Sequence, residues 1–294
     1  MKPDSMPNSP SRRALPEVEY TPESSLRHPL RLFAAMGRDV LASRELAWRL
    51  LVRDIRAHYR QSVFGFAWIF LPPLVLAAGF TLAGNSNVIN IAATEFPYPA
   101  YVMFSVMLWQ TFVDALNGPV QAVSNAKPML ARINFPSEAL LLAKLGEVVF
   151  NFAVKLILIV AIFVWYNMPI TWNALFSPLA LAQLIIFGTF FGLLLAPLGA
   201  LYQDVAYGLA VFTSLWMFVT PVVFPLPTTG VFATIVRANP VTPLLMTTRE
   251  LATTGVISDP YRFFLVSAIA VAGLFLTWIG FRLALPFVIE RVGS

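Results

Sequence analysis

Six long apolar stretches constrain the fold more than any other feature of this 294-residue chain. A helix needs about 20 predominantly apolar residues to cross a bilayer core that is about 30 Å thick. Separate apolar segments in lipid must be helical, because a helix satisfies its own backbone hydrogen bonds. The stretches are Phe64–Ala83, Pro99–Leu116, Val148–Trp165, Pro178–Tyr202, Tyr207–Phe224 and Phe263–Leu285. The sequence therefore predicts an all-α integral membrane protein with six transmembrane helices.

The composition agrees with a membrane protein and narrows the chemistry that the chain can perform. Hydrophobic residues make up 58% of the chain and charged residues only 12%, against about 25% in soluble domains. The absence of Cys excludes disulfide scaffolds and thiolate metal sites, and two His (His28 and His58) argue against a His-based metal cluster. We predict a chain that is not itself an enzyme, with no catalytic residues, no metal site and no cofactor.

The distribution of Lys and Arg predicts the orientation in the membrane. Residues 1–65 hold eleven of the twenty Lys and Arg, and Lys127, Arg132 and Lys144 follow the second stretch. The connections after the first and third stretches contain no Lys or Arg, and on that side only the long connection before the sixth stretch carries loop charges, Arg237, Arg249 and Arg262. Six crossings place both termini on the basic side. We therefore expect a multi-pass protein of a bacterial plasma (inner) membrane, with N- and C-termini in the cytoplasm.

The region before the first apolar stretch divides into two parts. Residues 1–25 are rich in Pro, Ser and charge and predict a disordered cytoplasmic tail. Residues 26–62 form an amphipathic interface region with helical periodicity from about Arg38 to Arg60. Four arginines share a sector of about 60° beside an apolar stripe; they are Arg49, Arg53, Arg56 and Arg60, and the stripe is Trp48, Val52, Ile55 and Tyr59. Such a helix anchors at the membrane surface, and it either does only that or also docks a partner.

Two longer connections have patterns of their own. Residues 124–136 are too polar to cross a membrane, and they form either a short helix that fits a groove on a soluble partner or a simple turn under the bundle. Residues 225–261 are apolar but interrupted by prolines. Irregular backbone at membrane depth must be surrounded by protein or a water-filled cavity. We therefore predict short re-entrant helices between the fifth and sixth crossings, with Asn239-Pro240 near their joint.

A series of motifs occurs in order along the chain. It begins with RDIRAHYRQSVFGFAWIFLP at residues 53–72 and continues with FPYP at 96–99 and WQTF at 109–112. The segment from Asn125 to Pro136, Trp216 with TPV at 220–222, and Asn239-Pro240 complete it. In these motifs the chain resembles ABC-2 type permeases that export polysaccharides, O-antigen and teichoic acids, over about residues 38–290. Gln203 stands where that family usually has Arg.

The resemblance implies a six-helix ABC-2 transmembrane domain over residues 63–290, acting as the permease subunit of an ATP-driven exporter of a lipid-linked, O-antigen-like polysaccharide. Its partners would be a second copy of itself, two copies of a separate ATP-binding cassette subunit, the lipid-linked glycan and membrane lipids. The chain contains no G-x-x-x-x-G-K-[ST] loop for nucleotide phosphates, so ATP and Mg would be bound by the partner subunit. The alternative function is a permease for teichoic acid or another lipid-linked polymer. An ion-coupled secondary transporter is a weaker alternative.

The resemblance also implies roles for particular residues. The ATPase-coupling interface would comprise Arg53, Asp54, Arg56, Tyr59, Arg60, Asn125, Lys127, Leu130, Arg132 and Phe135. Aromatic rings bind sugar faces, and the candidates for a substrate channel are Trp68, Tyr101, Phe104, Trp109, Phe112, Trp216 and Phe218, with Lys155. Each ring could instead face lipid or a membrane interface. Lys155 could make a structural polar contact or lie beside a pyrophosphate-type head group. An outer gate is assigned to Pro221, Pro225, Asn239 and Pro240.

Functions of other classes fit less well. A secondary transporter usually carries several intramembrane carboxylates, but Asp114 and Glu147 lie only at segment ends. An intramembrane enzyme needs clustered acids, His or Ser at a membrane face, and no such cluster is visible. Nucleic-acid binding is not expected, because the basic helix runs directly into a membrane segment. Gly188 and Gly192 form a G-x-x-x-G, for which close helix packing is the preferred interpretation.

Overall fold

The computed structural model describes residues 29–60, 64–86, 93–130 and 136–293. Within these ranges the chain is helical and contains no strand. A 3₁₀ helix, Trp172–Phe176, precedes the fifth of nine α-helices. The α-helices are α1 (Pro29–Arg60), α2 (Ala67–Asn85), α3 (Tyr98–Leu130), α4 (Ser137–Trp165), α5 (Ser177–Leu201), α6 (Asp204–Met217), α7 (Gly230–Ala238), α8 (Val241–Thr253) and α9 (Pro260–Gly293). The tail predicted for residues 1–25 lies outside the described residues.

Four helical segments of the described chain are long and apolar enough to cross a membrane. They are Ala67–Gly84, Ser137–Trp165, Trp172–Leu201 and Pro260–Val288. The other two predicted crossings are not confirmed by length and composition. Helix α3 is 33 residues long, but Gln110 and Asp114 interrupt its apolar part. Helix α6 has 14 residues and spans about 21 Å at 1.5 Å per residue. The structure thus confirms the all-α membrane class, whereas the count of six stays a prediction.

Helix α3 lies at the centre of the bundle. It packs most extensively against α5, and α2 and α4 cover its other sides, while α9 packs on α5. Two glycines allow the close approach of α3 and α5. A Cβ atom on Gly192 would lie 2.2 Å from the carbonyl oxygen of Leu116, and one on Gly188 would lie 2.8 Å from that of Phe112. The G-x-x-x-G therefore has the packing role preferred from the sequence.

A second apolar cluster joins α1 to the bundle. Ala47 and Leu50 of α1 are buried with Leu140 of α4 and Phe281 of α9. Trp48, in the predicted apolar stripe of α1, is instead exposed on the outside of the helix.

Arg282 of α9 reinforces this contact. Its Nη2 atom pairs with Asp39 of α1, and its Nε atom lies 2.9 Å from Oε1 of the buried Glu138 of α4. The helix α1 is thereby fixed to α4 and α9, which limits its freedom as a surface anchor.

The chain between α6 and α9 forms two short helices. Helices α7 and α8 meet at Asn239-Pro240, at the joint that the sequence predicts. Helix α8 is buried along most of its length and packs against α5, the 3₁₀ helix and α9. This part of the chain closes the end of the bundle opposite α1, and the name α7–α8 end is used for it below.

Candidate functional site

A groove lies between α1, α3 and α4. Its volume is about 490 Å³, and it is lined by Leu50, Arg53, Asp54, Ala57, Ala122, Asn125, Ala126, Leu140, Ala143, Lys144 and Glu147. Arg53 Nε donates to Asp54 Oδ1 at 2.9 Å, and Lys144 Nζ donates to Glu147 Oε2 at 2.6 Å. Small residues (Ala57, Ala122, Ala126 and Ala143) and two pairs of opposite charges share the lining. The name α1–α3–α4 groove is used for this site.

The groove brings together only part of the predicted coupling interface. Arg53, Asp54 and Asn125 line it, although Asn125 is more than seventy positions from Arg53 in the sequence. Arg56 and Arg60 are exposed on α1 but do not line it. Lys127 is half-buried near the end of α3. The side chains of Tyr59 and Leu130, and the whole of Arg132 and Phe135, lie outside the described residues.

Two charged residues of the groove did not come from the motif reasoning. Lys144 and Glu147 lie on α4 at a spacing of three positions, which places them on one face of the helix. That spacing was the signal available in the sequence. About a fifth of the surface of each side chain is exposed, so each is accessible from within the groove.

The predicted channel aromatics divide into two groups. Tyr101, Trp109 and Phe112 are buried in the core. The centroid of the Trp216 ring lies 6.2 Å from that of Trp109 and 5.4 Å from that of Phe112, in edge-to-face arrangements. In this conformation these rings pack inside the bundle, and Trp109, Phe112 and Trp216 contact one another instead of lining an open path. Their role in a channel stays a prediction.

The remaining channel aromatics occupy other surroundings. Trp68 and Phe218 are 55% and 52% exposed on the outer surface. Phe104 lines a separate, almost entirely apolar cavity of about 650 Å³ between α3, α4, α5 and α8. The described protomer therefore contains no continuous row of the seven predicted rings.

Lys155 makes an ion pair inside the bundle. It is 3% exposed, and its Nζ atom donates to Asp114 Oδ2 at 3.0 Å. A buried ammonium without a counter-ion is strongly destabilising in lipid or protein. The contact links α4 to α3, and a role of Lys155 beside a substrate head group stays a prediction.

Asn239, one of the four predicted gate residues, makes four hydrogen bonds with its side chain, and the gate itself stays a prediction. The amide nitrogen of Asn239 donates to the Val219 carbonyl at 3.0 Å and to Thr220 Oγ1 at 2.8 Å. Its amide oxygen accepts from Trp216 Nε1 and from the Val241 backbone N–H, both at 3.1 Å. One buried amide thus joins the irregular chain after α6 to the start of α8. Pro240 stands at the N-terminus of α8.

Side chains from distant helices also cap the irregular chain after α6. The Tyr98 hydroxyl donates to the Val223 carbonyl at 2.7 Å, and the Tyr101 hydroxyl lies 3.3 Å from the Pro221 carbonyl and 3.0 Å from that of Phe224. Pro225 follows and is half-buried. These bonds satisfy carbonyls that no helix satisfies, as the interior of a membrane protein requires.

Arg249 of α8 is a buried residue that the sequence reasoning counted only as a loop charge. It is 2% exposed, and its Nη1 atom donates to Ser105 Oγ at 2.9 Å and to the Pro221 carbonyl at 3.2 Å. Its guanidinium carbon lies 4.1 Å from the centroid of the Tyr101 ring. A buried cation over an aromatic ring is a favourable contact. The available signal was a charged Arg249-Glu250 pair within an otherwise uncharged helix.

The fold and these internal polar contacts define a multi-pass helical membrane protein. No group of His, Asp and Glu that could hold a metal ion occurs among the described residues. No family model matches the chain.

Two curated proteins are similar to the chain. The O-antigen export system permease protein RfbA of Myxococcus xanthus is 27% identical over 195 residues, which cover 65% of this chain and 72% of that protein. The protein of the same name from Klebsiella pneumoniae is 23% identical over 235 residues, covering 78% and 86%. These similarities confirm the resemblance to ABC-2 export permeases that the motifs indicated.

Proposed function

We propose that the chain is the membrane-spanning permease subunit of an ATP-driven exporter that moves a lipid-linked, O-antigen-like polysaccharide out of the cytoplasm. The observation that carries this proposal is the similarity to two O-antigen export permeases over 195 and 235 residues. The chain has no nucleotide-binding loop of its own. The proposal therefore includes a separate ATPase, which binds ATP and Mg, and a homodimer of the permease.

The α1–α3–α4 groove supports a docking role for this part of the molecule. It is concave, and its lining carries charges of both signs beside several small apolar residues. A helix from a soluble partner can lie in such a groove, with its apolar face on the small residues and its polar side chains among the paired charges. Movement of the ATPase would reach the bundle through α1, which Arg282 fixes to α9.

The proposed topology has six crossings, with α3 and α6 as the second and fifth. Helix α6 is short, and the irregular chain through Phe224 would complete its crossing. Only Leu209 and Thr213 of α6 are buried in the protomer, so most of this helix is available to contact a second copy. The α1 end would face the cytoplasm. Helices α7 and α8 would then dip into the outer leaflet of an inner membrane.

The test is co-expression of this chain with an ATP-binding cassette protein encoded beside it. ATP hydrolysis and surface glycan are measured for the wild type and for Arg53→Glu/Arg56→Glu. We expect the double charge reversal to leave membrane insertion intact, while it lowers export at least about tenfold through loss of docking. Arg44→Glu is the control, since Arg44 is exposed on the same helix but belongs neither to the groove nor to the predicted coupling interface.

Three results would contradict the proposal. The first is normal export by the double variant, which refutes the docking surface. The second is export by the purified chain without any ATPase. The third is an equal loss of export in Arg44→Glu, which would show a general effect of charge on α1.

A further inference from the structure

A small polar cavity at the α7–α8 end is separate from the groove and from the aromatic core. Its volume is about 260 Å³, and it is lined by Leu226, Arg237, Thr242, Pro243, Met246, Thr247, Glu250, Ser258, Asp259 and Arg262. Arg237, Ser258, Asp259 and Arg262 are exposed. The cavity is therefore accessible from water at its rim, whereas its deepest polar group is buried.

The buried group is the carboxylate of Glu250. The residue is 1% exposed, and its Oε2 atom accepts a hydrogen bond from the Ser258 backbone N–H at 2.9 Å. Its Oε1 atom is buried and has no hydrogen-bond partner among the described residues. An unpartnered carboxylate oxygen at the wall of a cavity is an acceptor that a hydroxyl of a ligand can use.

The two arginines at the rim are engaged elsewhere but keep donors available. Arg262 Nε lies 3.3 Å from Asp259 Oδ2, and its Nη1 atom donates to the Arg237 carbonyl at 3.2 Å. Arg237 Nη2 donates to the Thr228 carbonyl at 3.3 Å. Each guanidinium has five N–H donors. Further donors thus remain for a ligand at the rim, opposite the acceptor at the bottom.

This arrangement selects among classes of ligand. A metal cation would meet two guanidinium groups, and of the two carboxylates Asp259 is already paired with Arg262 while Glu250 accepts from Ser258. A phosphate would meet the charges of both Glu250 and Asp259. A neutral ring with neighbouring hydroxyls suits both sides, because a hydroxyl donates to Glu250 Oε1 and accepts from an arginine. Leu226, Pro243 and Met246 supply an apolar wall for the ring carbons.

The size of the cavity agrees with one sugar ring. At about 30 Å³ per water molecule in the liquid, its volume equals that of about nine waters. Covalently joined atoms pack more tightly than waters, so a pyranose of about a dozen heavy atoms is accommodated. We propose that this cavity binds one sugar unit of the exported glycan through neighbouring hydroxyls, with Glu250 as the acceptor and Arg237 and Arg262 as donors. The identity of the polymer rests on the proposed function.

The test uses the full chain in nanodiscs made of phosphatidylethanolamine and phosphatidylglycerol, which contain no glycolipid. The probes are the methyl glycosides of glucose, galactose, mannose and rhamnose, titrated by saturation-transfer NMR, with glycerol as the nonspecific control. We expect at least one glycoside to bind saturably. Glu250→Gln should raise its Kd at least about tenfold, which corresponds to about 1.4 kcal/mol. Glu45→Gln, on the exposed face of α1, should not change the Kd.

Met246→Trp provides a second test that keeps Glu250. Met246 is half-buried and lines the cavity, so the larger ring should fill it and abolish binding in a chain that still elutes as the folded species. The proposal is overturned if none of the four glycosides binds, or if either variant binds as the wild type does. Loss of binding in Glu45→Gln would also overturn it.

A measurement in cells tests whether the bound sugar belongs to the exported glycan or to a glycolipid head group. Lower surface glycan in Glu250→Gln cells, at normal protein abundance, supports the exported polymer as ligand. Unchanged surface glycan overturns that assignment and points to a glycolipid head group. Binding by the isolated chain needs no ATPase, so a failure of glycoside binding and a failure of ATP-driven export are separate results.

Discussion

Substitution of Gly192 by Ala tests the close packing of α3 and α5 directly. The added Cβ atom would lie 2.2 Å from the Leu116 carbonyl oxygen and 3.0 Å from Pro119 Cδ. Real Cβ atoms essentially never approach another atom within 3.0 Å, so the two helix backbones must separate by about 1 Å. Overpacking of this kind costs about 1–3 kcal/mol, and the better helix propensity of Ala returns up to about 1 kcal/mol. We expect a net loss of about 1–2 kcal/mol in the free energy of unfolding.

The assay is reversible unfolding of the purified chain in mild detergent, with Gly280→Ala as the matched control. Gly280 lies on α9, and a Cβ atom there would meet nothing within 4 Å. Its substitution should leave the free energy of unfolding unchanged or raise it slightly. Gly188→Ala, where the distance to the Phe112 carbonyl is 2.8 Å, should fall between the two. The reasoning is refuted if Gly192→Ala is as stable as Gly280→Ala.

The same unfolding assay checks three further expectations. Asp114→Leu should cost about 3–5 kcal/mol because it leaves the buried Lys155 without its partner, and adding Lys155→Met should recover most of that loss; an additive double variant would argue against the pair. Asn239→Ala should lower the free energy of unfolding by about 3 kcal/mol or more, since several buried groups lose partners at about 1–3 kcal/mol each. Trp216→Phe removes only one of those bonds and should therefore lower it less. Equal losses in the two variants would contradict the central role of the Asn239 amide. Arg249→Lys should lower the thermal midpoint, because the ammonium cannot reproduce the planar contact with the ring beneath it; a midpoint equal to that of the wild type would count against this account.

The parts of the fold that depend on local pattern could be predicted from the sequence. Long apolar runs predict α2, α4, α5 and α9, because length and hydropathy alone suffice for a crossing. The joint at Asn239-Pro240 was predicted because proline restricts the backbone locally. The extent of α3 was not predicted, because this helix continues to Leu130, beyond the apolar stretch that ends at Leu116. A helix does not have to end where its apolar surface ends.

The contacts of the candidate sites depended on the three-dimensional arrangement. Lys155 and Asp114 were both recognised as polar residues, but 41 positions separate them and no periodicity relates them. Arg249 was counted as a loop charge because rules of orientation count charges without regard to pairing or burial. The aromatic residues were predicted to share one path. Their types are visible in the sequence, whereas the direction of each ring depends on how α3 is rotated against α5.

The capping of the irregular chain after α6 has a consequence for biosynthesis. The tyrosines of α3 leave the ribosome before that chain, but Asn239 and Arg249 leave it afterwards, the latter 32 positions beyond Met217. Until Asn239 and α8 have been synthesised, the carbonyl of Val219 lacks its donor and that of Pro221 has only the Tyr101 hydroxyl, and lipid offers no donor in their place. A nascent chain that stops before α8 should therefore be retained by the insertion machinery or degraded, so the last third of the protein must enter the bilayer as one unit.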